Sequence, residues 1–156
     1  ITKLAAEQLA LSYNKLKNLP VISLRLGTTY GNSMRKNSVF SIFIDRAKHG
    51  LPIFIYGDGD QSRQFVHVGD VAKAFELASM SSPTGHAFNI VGNEKITIMD
   101  LAKIVISKYP TDIQFKASRD GDIASSVVSS EKAKNQLNWE PEIDFHTGLT
   151  KLLDNP

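Results

Sequence analysis

Apolar and polar positions along this chain follow helical and strand-like periods in turn. Residues 2–17 place apolar side chains at helical spacing, and Pro20 follows, as expected after a helix end. The spaced apolar residues are Ala5, Leu9, Tyr13 and Leu16. Residues 21–26 are a short apolar run with β-branched members, which predicts a strand buried on both faces, the type found in parallel sheets.

The same alternation continues to the end of the chain. Thr97 and Asp100 are spaced like a capping box, which predicts that a helix begins there and runs to Pro110. The remaining predicted helices span 38–49, about 70–78, 130–137 and 146–153, and the remaining predicted strands span 53–56, 64–68, 87–91 and 113–116. The segments 27–37, 57–60 and 118–126 are predicted loops. Short strands alternating with helices predict an α/β fold.

Composition narrows the class of protein. The chain has 156 residues, which is one domain's worth, with 42% hydrophobic residues and a formal net charge of +2. That charge is too small to indicate nucleic acid, and no apolar run approaches the ~18 residues of a membrane span. The absence of cysteine excludes disulfides and thiolate metal sites, and four histidines without clustered spacing predict no metal site. We therefore expect a cytoplasmic protein.

The beginning of the chain predicts a fragment or a processed protein. It starts with Ile1 inside the first predicted helix, without a polar lead-in or cap. The glycine-rich Gly-x-Gly-x-x-Gly loop that holds a dinucleotide pyrophosphate is absent from the sequence. If the chain contacts a dinucleotide, we expect the phosphate-binding loop to lie outside this chain.

Five segments occur in an order and spacing typical of one family. They are residues 2–7 (TKLAAE), 24–31 (LRLGTTYG), 56–68 (YGDGDQSRQFVHV), 88–90 (FNI) and 137–141 (LNWEP). With these segments the chain resembles the extended short-chain dehydrogenase/reductase family, in its UDP-glucose 4-epimerase-like branch of NAD-dependent nucleotide-sugar epimerases and dehydratases. The resemblance runs from Ile1 to about Leu149 and corresponds to the C-terminal half of such enzymes.

The resemblance implies a fold, an activity and a cofactor. The fold would be α/β: the C-terminal part of a Rossmann-like doubly wound parallel sheet plus the small substrate-binding α/β subdomain. Residues 1–36 would end the Rossmann core and residues 37–156 would form mostly the substrate-binding subdomain, with 65–91 returning to the core. The activity would be epimerisation or dehydration of a nucleotide-diphosphate sugar, with decarboxylation or reduction of such a sugar left open as alternatives. In epimerisation a hydride leaves for NAD, a keto intermediate forms, and the hydride returns to the other face.

Lys3 is the residue that the resemblance connects to catalysis. In this family a tyrosine lies four residues before a lysine, so both share one helix face. The lysine binds the nicotinamide ribose, and its charge lowers the pKa of the tyrosine. Lys3 matches the lysine, whereas the tyrosine would precede Ile1. Leu26, Gly27 and Thr28 would lie against the nicotinamide; taken alone, Lys3 is also typical of a solvent-exposed helix lysine.

Three charged residues would hold the nucleotide diphosphate. The resemblance implies that Arg63 and Arg119 bind phosphate, for which a planar guanidinium fork is suited. Asp122 would accept hydrogen bonds from the ribose hydroxyls, because one carboxylate can accept both. A surface ion pair for Arg63 and a polar loop around Arg119 are the alternatives.

Four further residues would complete the substrate site. Thr28 would contact the sugar and stands where many family members have Asn, which indicates a different substrate contact. Asn37 would meet a phosphate at the start of the second helix, or serve as a plain helix cap there. Phe54 and Tyr56 match the strand whose backbone pairs with a pyrimidine base, while their side chains are also typical of packing.

Two alternatives to an enzyme half remain open at this stage. The chain could be a stand-alone nucleotide-sugar-binding module, or a catalytically inert fragment. In the full-length enzyme of this family the partners would be the missing N-terminal half and a second copy that completes a homodimer through the first helix. No nucleic acid and no membrane are expected as partners.

Overall fold

The computed structural model describes residues 1–121, 125 and 127–154. The helices are α1 (Thr2–Lys17), α2 (Val39–Lys48), α3 (Val68–Met80), α4 (Ile98–Lys108), α5 (Glu131–Leu137) and α6 (Phe145–Asp154). The strands are β1 (Ile22–Leu26), β2 (Thr28–Tyr30), β3 (Ile53–Tyr56), β4 (Ser62–Arg63), β5 (Phe65–His67), β6 (His86–Ile90), β7 (Ile96–Thr97) and β8 (Ile113–Lys116). The predicted α/β class is confirmed.

Parallel pairing dominates among the described strands. β1 pairs with β6, β2 with β5 and β3 with β8, all in parallel, while the short β4 and β7 are antiparallel. β1 and β6 are in register from Ile22 opposite His86 to Leu26 opposite Ile90. Their carboxyl ends therefore lie side by side.

β1 is less buried than its apolar sequence predicts. Its first three residues are half-buried, whereas Arg25 and Leu26 are exposed. The prediction of a strand buried on both faces is therefore wrong for the described chain. Among the described strands β1 pairs with β6 alone, and a strand at a sheet edge is more accessible to solvent than a central strand of a parallel sheet.

The predicted loop 27–37 contains a strand that the sequence analysis missed. β2 covers only three residues and pairs in parallel with β5, with Thr28 opposite Phe65. β5 is also shorter than the predicted strand 64–68, because Val68 already belongs to α3. His67 caps that helix by accepting a hydrogen bond from the Gly69 amide at 3.1 Å.

Two hydrophobic clusters meet at β5. Phe65 belongs to the cluster built from α2, α4, α6 and β3, whereas its neighbour Val66 belongs to the cluster around α3, β6 and α5. Successive strand residues point to opposite faces, so β5 contributes one side chain to each cluster. This arrangement places the Arg63 segment, directly before β5, at the junction of the two.

α4 begins at the capping box that the sequence predicts. The Thr97 hydroxyl accepts the Asp100 amide at 2.9 Å, and Asp100 accepts the Thr97 amide at 3.3 Å. Both contacts satisfy amides that a helix start leaves unpaired. The cap therefore holds the end of β7, which is paired with β4.

Asp70 and Trp139 fasten the C-terminal segment onto α3. The Asp70 carboxylate is buried and accepts the amides of Glu142 and Ile143 at 3.2 and 3.3 Å. The Trp139 side chain is 1% exposed, and its indole nitrogen donates to the Asp70 carbonyl at 2.9 Å. Trp139 therefore packs the C-terminal segment against α3.

Glu7 connects α1 to β1. Its carboxylate accepts Nη2 and Nε of Arg25 at 2.7 and 2.8 Å and the Ser23 hydroxyl at 2.9 Å. Hydrogen bonds from Arg25 and Ser23 lower the pKa of Glu7 from 4.5 to about 2. The charged carboxylate is therefore the form that joins the helix to the strand.

We expect the Glu7 contact to give a pH-dependent part of the stability. Because the folded-state pKa is lowered, its contribution is fully present above pH 4.5 and is lost as the pH falls towards 2. Glu7→Gln should lower the melting temperature by a few degrees at neutral pH, and the difference from the wild type should shrink in that acidic range. Thermal melts across the range test this. Glu76→Gln, which removes a half-exposed pair with Lys73, is the control and should shift the midpoint less. A constant difference at every pH would contradict the assignment.

The apolar face of α1 is uncovered by the described chain. None of its residues is buried, and several large apolar side chains on it are exposed, namely Leu4, Leu9, Tyr13 and Leu16. No helix among the described residues is long and apolar enough to cross a membrane.

Candidate functional site

A cleft of about 360 Å³ lies between α2, β3 and the segment before β5, and we call it the arginine cleft. Its described lining residues are Thr28, Asn37, Val39, Ile42, Phe43, Arg46, Phe54, Tyr56, Gln61, Arg63, Phe65, Ile98 and Arg119. Three of these are arginines and none is aspartate or glutamate. The cleft thus favours an anionic ligand, although the formal net charge of the chain is only +2.

Six sequence-predicted substrate residues come together in this cleft. They are Thr28, Asn37, Phe54, Tyr56, Arg63 and Arg119. Different elements supply them: β2, β3, β4 and the segments next to α2 and β8. Asp122, the seventh predicted residue, lies outside the described residues.

Arg63 is held at the end of β4. Its Nη1 donates to the Ser62 carbonyl at 2.8 Å, and the backbone of β4 pairs with Ile96 of β7. Ser62 is fully buried, which anchors the strand in the protein. The guanidinium of Arg63 is therefore held against the backbone of its own strand, and the side chain lines the cleft.

Each of the two aromatic rings of β3 makes a cation–π contact with an arginine. Arg119 lies 3.8 Å from the Tyr56 ring centroid, and Arg46 lies 4.1 Å from that of Phe54. Phe54 and Tyr56 are two residues apart on one strand and therefore share one face. Such stacking holds each guanidinium plane while leaving its edges able to donate hydrogen bonds.

Asn37 lines the cleft but does not cap α2. The cap is Ser38, whose hydroxyl accepts the Ser41 amide at 3.1 Å. The interpretation of Asn37 as a plain helix cap is therefore wrong by one position. Its exposed side chain lies directly before the helix start, a position that suits an anion.

A second cavity of about 550 Å³ opens at the carboxyl ends of β1 and β6, and we call it the strand-end cavity. Its lining residues are Arg25, Leu26, Gly27, Thr28, Arg63, Gln64, Asn89, Val91 and Val128. Thr28 and Arg63 line both cavities, so the two are adjacent. In open α/β sheets, ligands bind beyond the carboxyl ends of the strands.

Gly27 has a packing reason to be glycine. A Cβ there would lie 3.0 Å from the Gln64 carbonyl oxygen and 3.1 Å from Val91 Cγ1. Its amide donates to the Ile90 carbonyl at 2.8 Å, which continues the β1–β6 pairing. The close approach fixes the floor of the strand-end cavity beside Leu26, whose side chain is 44% exposed.

Lys3 lines neither cavity, and its position follows from the direction of α1. α1 runs antiparallel to β1: Glu7 contacts Arg25 late in the strand, whereas Asn14 contacts Thr84, which lies before β6. Lys3 is one helical turn before Glu7, so the two share a helix face. The exposed Lys3 is thereby placed towards the carboxyl end of β1.

The residues of the strand-end cavity fit the nicotinamide end of NAD, the cofactor implied by the resemblance. Leu26 offers apolar surface at the strand end, and the backbone at Gly27 leaves no side chain over the floor. The pyrophosphate end of NAD has no glycine-rich loop in this sequence. Among the described residues, no group of three His, Asp or Glu side chains is arranged to hold a metal ion.

Several cleft residues were missed by the sequence analysis. Arg46 and Gln61 are the polar ones. Gln61 Nε2 donates to the Tyr56 carbonyl at 2.8 Å, which connects the segment after the loop 57–60 to the end of β3. A signal for Arg46 exists, because Val39, Phe43 and Arg46 follow one helical stripe in which an arginine replaces an apolar residue.

Comparisons with known proteins agree on the family. The sequence model of the NAD dependent epimerase/dehydratase family matches residues 1–91, and the chain belongs to this family. A trifunctional UDP-glucose 4,6-dehydratase, 3,5-epimerase and reductase of Arabidopsis thaliana is 30% identical over 98% of this chain and 23% of its own length. A dTDP-glucose 4,6-dehydratase of Salmonella typhimurium is 28% identical over 98% of this chain and 45% of its own.

Solved structures show the same fold. The UDP-glucose 4-epimerase of Thermotoga maritima, solved with UDP-glucose, superposes with a TM-score of 0.92 at 29% identity. The UDP-glucuronic acid 4-epimerase of Bacillus cereus, solved with UDP-glucuronic acid and NAD, superposes with a TM-score of 0.90 at 27% identity. The chain covers 50% of each structure, and it spans half or less of the curated relatives it matches. The predicted Rossmann-like α/β fold is confirmed by these likenesses.

Proposed function

We propose that this chain supplies the substrate-binding part of an NAD-dependent epimerase or dehydratase that acts on a nucleotide-diphosphate sugar. One observation carries the proposal. Six of the seven predicted substrate residues, which are scattered from Thr28 to Arg119, line a single arginine-rich cleft. That cleft adjoins a cavity at the carboxyl ends of two parallel strands.

The cleft provides a path for one extended ligand. Arg63 and Arg119 would hold the diphosphate by charge-assisted hydrogen bonds, with Asn37 at the start of α2 as a third contact. The sugar would extend towards Thr28, which both cavities share. The nucleoside would extend the other way, along the aromatic face of β3.

The strand-end cavity would hold the nicotinamide of NAD, the partner of the sugar in the reaction. When bound, NAD supplies an acceptor for a hydride from the sugar and a donor for its return. Leu26, Gly27 and Thr28 would place the nicotinamide beside the sugar, and Lys3 would bring a cation to the same end of β1. Epimerisation and dehydration both begin with this geometry.

The remaining partners are part of the same proposal. One edge of β1 and the apolar face of α1 are uncovered by the described residues. We propose that the N-terminal half of a longer polypeptide, carrying the tyrosine and the glycine-rich loop, adjoins them, and that α1 contributes to a homodimer. The division of the chain at residue 36 and a cytoplasmic location also stay predictions.

Calorimetric titration with UDP-glucose and dTDP-glucose tests the substrate class. The titration uses the protein as its natural gene encodes it, which we call the naturally encoded protein. We expect saturable binding of at least one of them and no binding of glucose at the same concentration, because the diphosphate and nucleoside supply most of the contacts. Absence of heat with both nucleotide sugars at millimolar concentration would contradict the proposal.

The same titration on the 156-residue chain alone distinguishes the two other interpretations. Saturable binding without turnover would mean that the chain is a stand-alone module. Binding by the naturally encoded protein but not by the chain would mean that the isolated chain is inert.

A further inference from the structure

Helix α2 forms one wall of the arginine cleft and places Arg46 at the end of that wall away from the helix start. Val39, Ile42, Phe43 and Arg46 line the cleft from one face of the helix. Arg46 follows Asn37 by nine positions, which corresponds to roughly 13 Å along the helix axis. The cleft therefore has an Asn37 end, near the helix start, and an Arg46 end.

Arg46 is held in a defined orientation at that end. Its Nε donates to the Pro52 carbonyl at 2.5 Å, and its guanidinium carbon lies 4.1 Å from the Phe54 ring centroid. These two contacts fix both the edge and the plane of the guanidinium. Its two Nη groups donate to no atom in the part of the chain that the structure describes. Arg46 thus presents a half-buried, positioned pair of donors in the cleft wall.

Arg46 also determines which chemistry this end accepts. Lys116 lies 4.5 Å from the Phe54 ring centroid but does not line the cleft, so Arg46 is the cation of the lining at this end. A charged donor favours an acceptor-bearing edge of a ligand and disfavours amino groups. With the diphosphate between Arg63 and Arg119, the part of a nucleotide that reaches this end is the base.

We propose that Arg46 is a specificity-determining residue that donates hydrogen bonds to a carbonyl oxygen of a pyrimidine base, uracil or thymine. This inference rests on the proposed function. Uracil and thymine carry carbonyl acceptors on their ring edges, whereas adenine carries an amino group and no carbonyl. Arg46 therefore distinguishes these bases from adenine, while Arg63 binds the phosphates that all nucleoside diphosphates share.

Titration of the naturally encoded protein with UDP, ADP and inorganic pyrophosphate tests this division of roles. Arg46→Met should weaken UDP binding about tenfold, the loss expected for a hydrogen bond from a charged donor. It should leave the affinities for ADP and pyrophosphate within about twofold. Arg63→Met, in contrast, should weaken all three ligands.

Two controls keep the test decisive. Lys48→Met removes a cation from the same helix without altering the cleft lining and should bind UDP like the wild type. Arg46→Lys keeps the charge but loses the fork, and an intermediate loss for UDP decides the matter if Arg46→Met fails to fold.

Unchanged UDP binding by either Arg46 variant, or an equal loss for UDP and pyrophosphate, would overturn the role of Arg46 and leave the proposed function standing. Failure of the wild type to bind UDP would overturn both.

Discussion

Replacing Lys3 with methionine is expected to lower kcat of the naturally encoded protein by about 10²- to 10⁴-fold, the range that a general acid or base supplies. The resemblance gives Lys3 the task of lowering the pKa of a tyrosine one helical turn earlier. The structure places Lys3 towards the carboxyl end of β1, one turn before the Glu7 contact to Arg25. KM for the nucleotide sugar should change by less than about threefold, because Lys3 lines neither cavity.

The pH profile separates this role from a structural one. Without the nearby cation the pKa of the tyrosine rises, so the pH dependence of kcat should move to higher pH. The variant should therefore regain part of its activity at high pH. Lys15→Met, in the last turn of the same helix, is the matched control and should keep wild-type kcat. Wild-type turnover in Lys3→Met would show that Lys3 is only an exposed helix lysine.

Replacing Arg63 with methionine should weaken UDP-glucose binding by roughly 10- to 100-fold, since a hydrogen bond to a charged group contributes ~1.5–3 kcal/mol. Arg63 lines both cavities, and its guanidinium donates to the carbonyl of Ser62, the residue before it in β4. The loss should appear in KM as well as in the calorimetric affinity, because the diphosphate is bound alike in the ground state and the transition state.

A neighbouring cation provides the control for Arg63. Lys95 is exposed, lies directly before Ile96 on the strand paired with Arg63, and lines neither cavity. Lys95→Met should bind UDP-glucose with wild-type affinity. Equal losses in the two variants would indicate a general electrostatic effect, and no loss in Arg63→Met would remove Arg63 from the site.

Much of the fold could be predicted because local signals agreed with tertiary structure. The Thr97–Asp100 capping box forms as its spacing predicts, and α1 has its predicted limits. β2 was missed because three residues between Gly27 and Gly31 are too few to show a strand period. Its existence depends on pairing with β5, a contact made across 37 positions of sequence from Thr28 to Phe65.

The sequence also did not reveal which polar groups are buried. Its position indicates that Asp70 is an acidic residue in a first helical turn, yet it is buried and accepts hydrogen bonds from the amides of residues 142 and 143. Nothing in the spacing of Asp70 reveals partners that lie more than seventy residues away. Asn37 shows the same limit on a smaller scale, because Ser38 next to it is an equally good cap and takes that position.

The candidate site was predictable in part, and for a definable reason. A family resemblance transfers residues by position, so it found the six residues that converge on the arginine cleft. It did not find Arg46. The helical stripe of Val39, Phe43 and Arg46 places this arginine on the cleft side, but its orientation depends on the Pro52 carbonyl and the Phe54 ring. Such tertiary contacts become visible only in the folded structure.

The most direct test is a crystal structure of the naturally encoded protein with UDP-glucose and NAD bound. We predict both phosphates within hydrogen-bond distance of Arg63 and Arg119, and the glucose beside Thr28 facing the nicotinamide. A nucleotide sugar bound elsewhere on the protein, with the arginine cleft filled by solvent, would contradict the account.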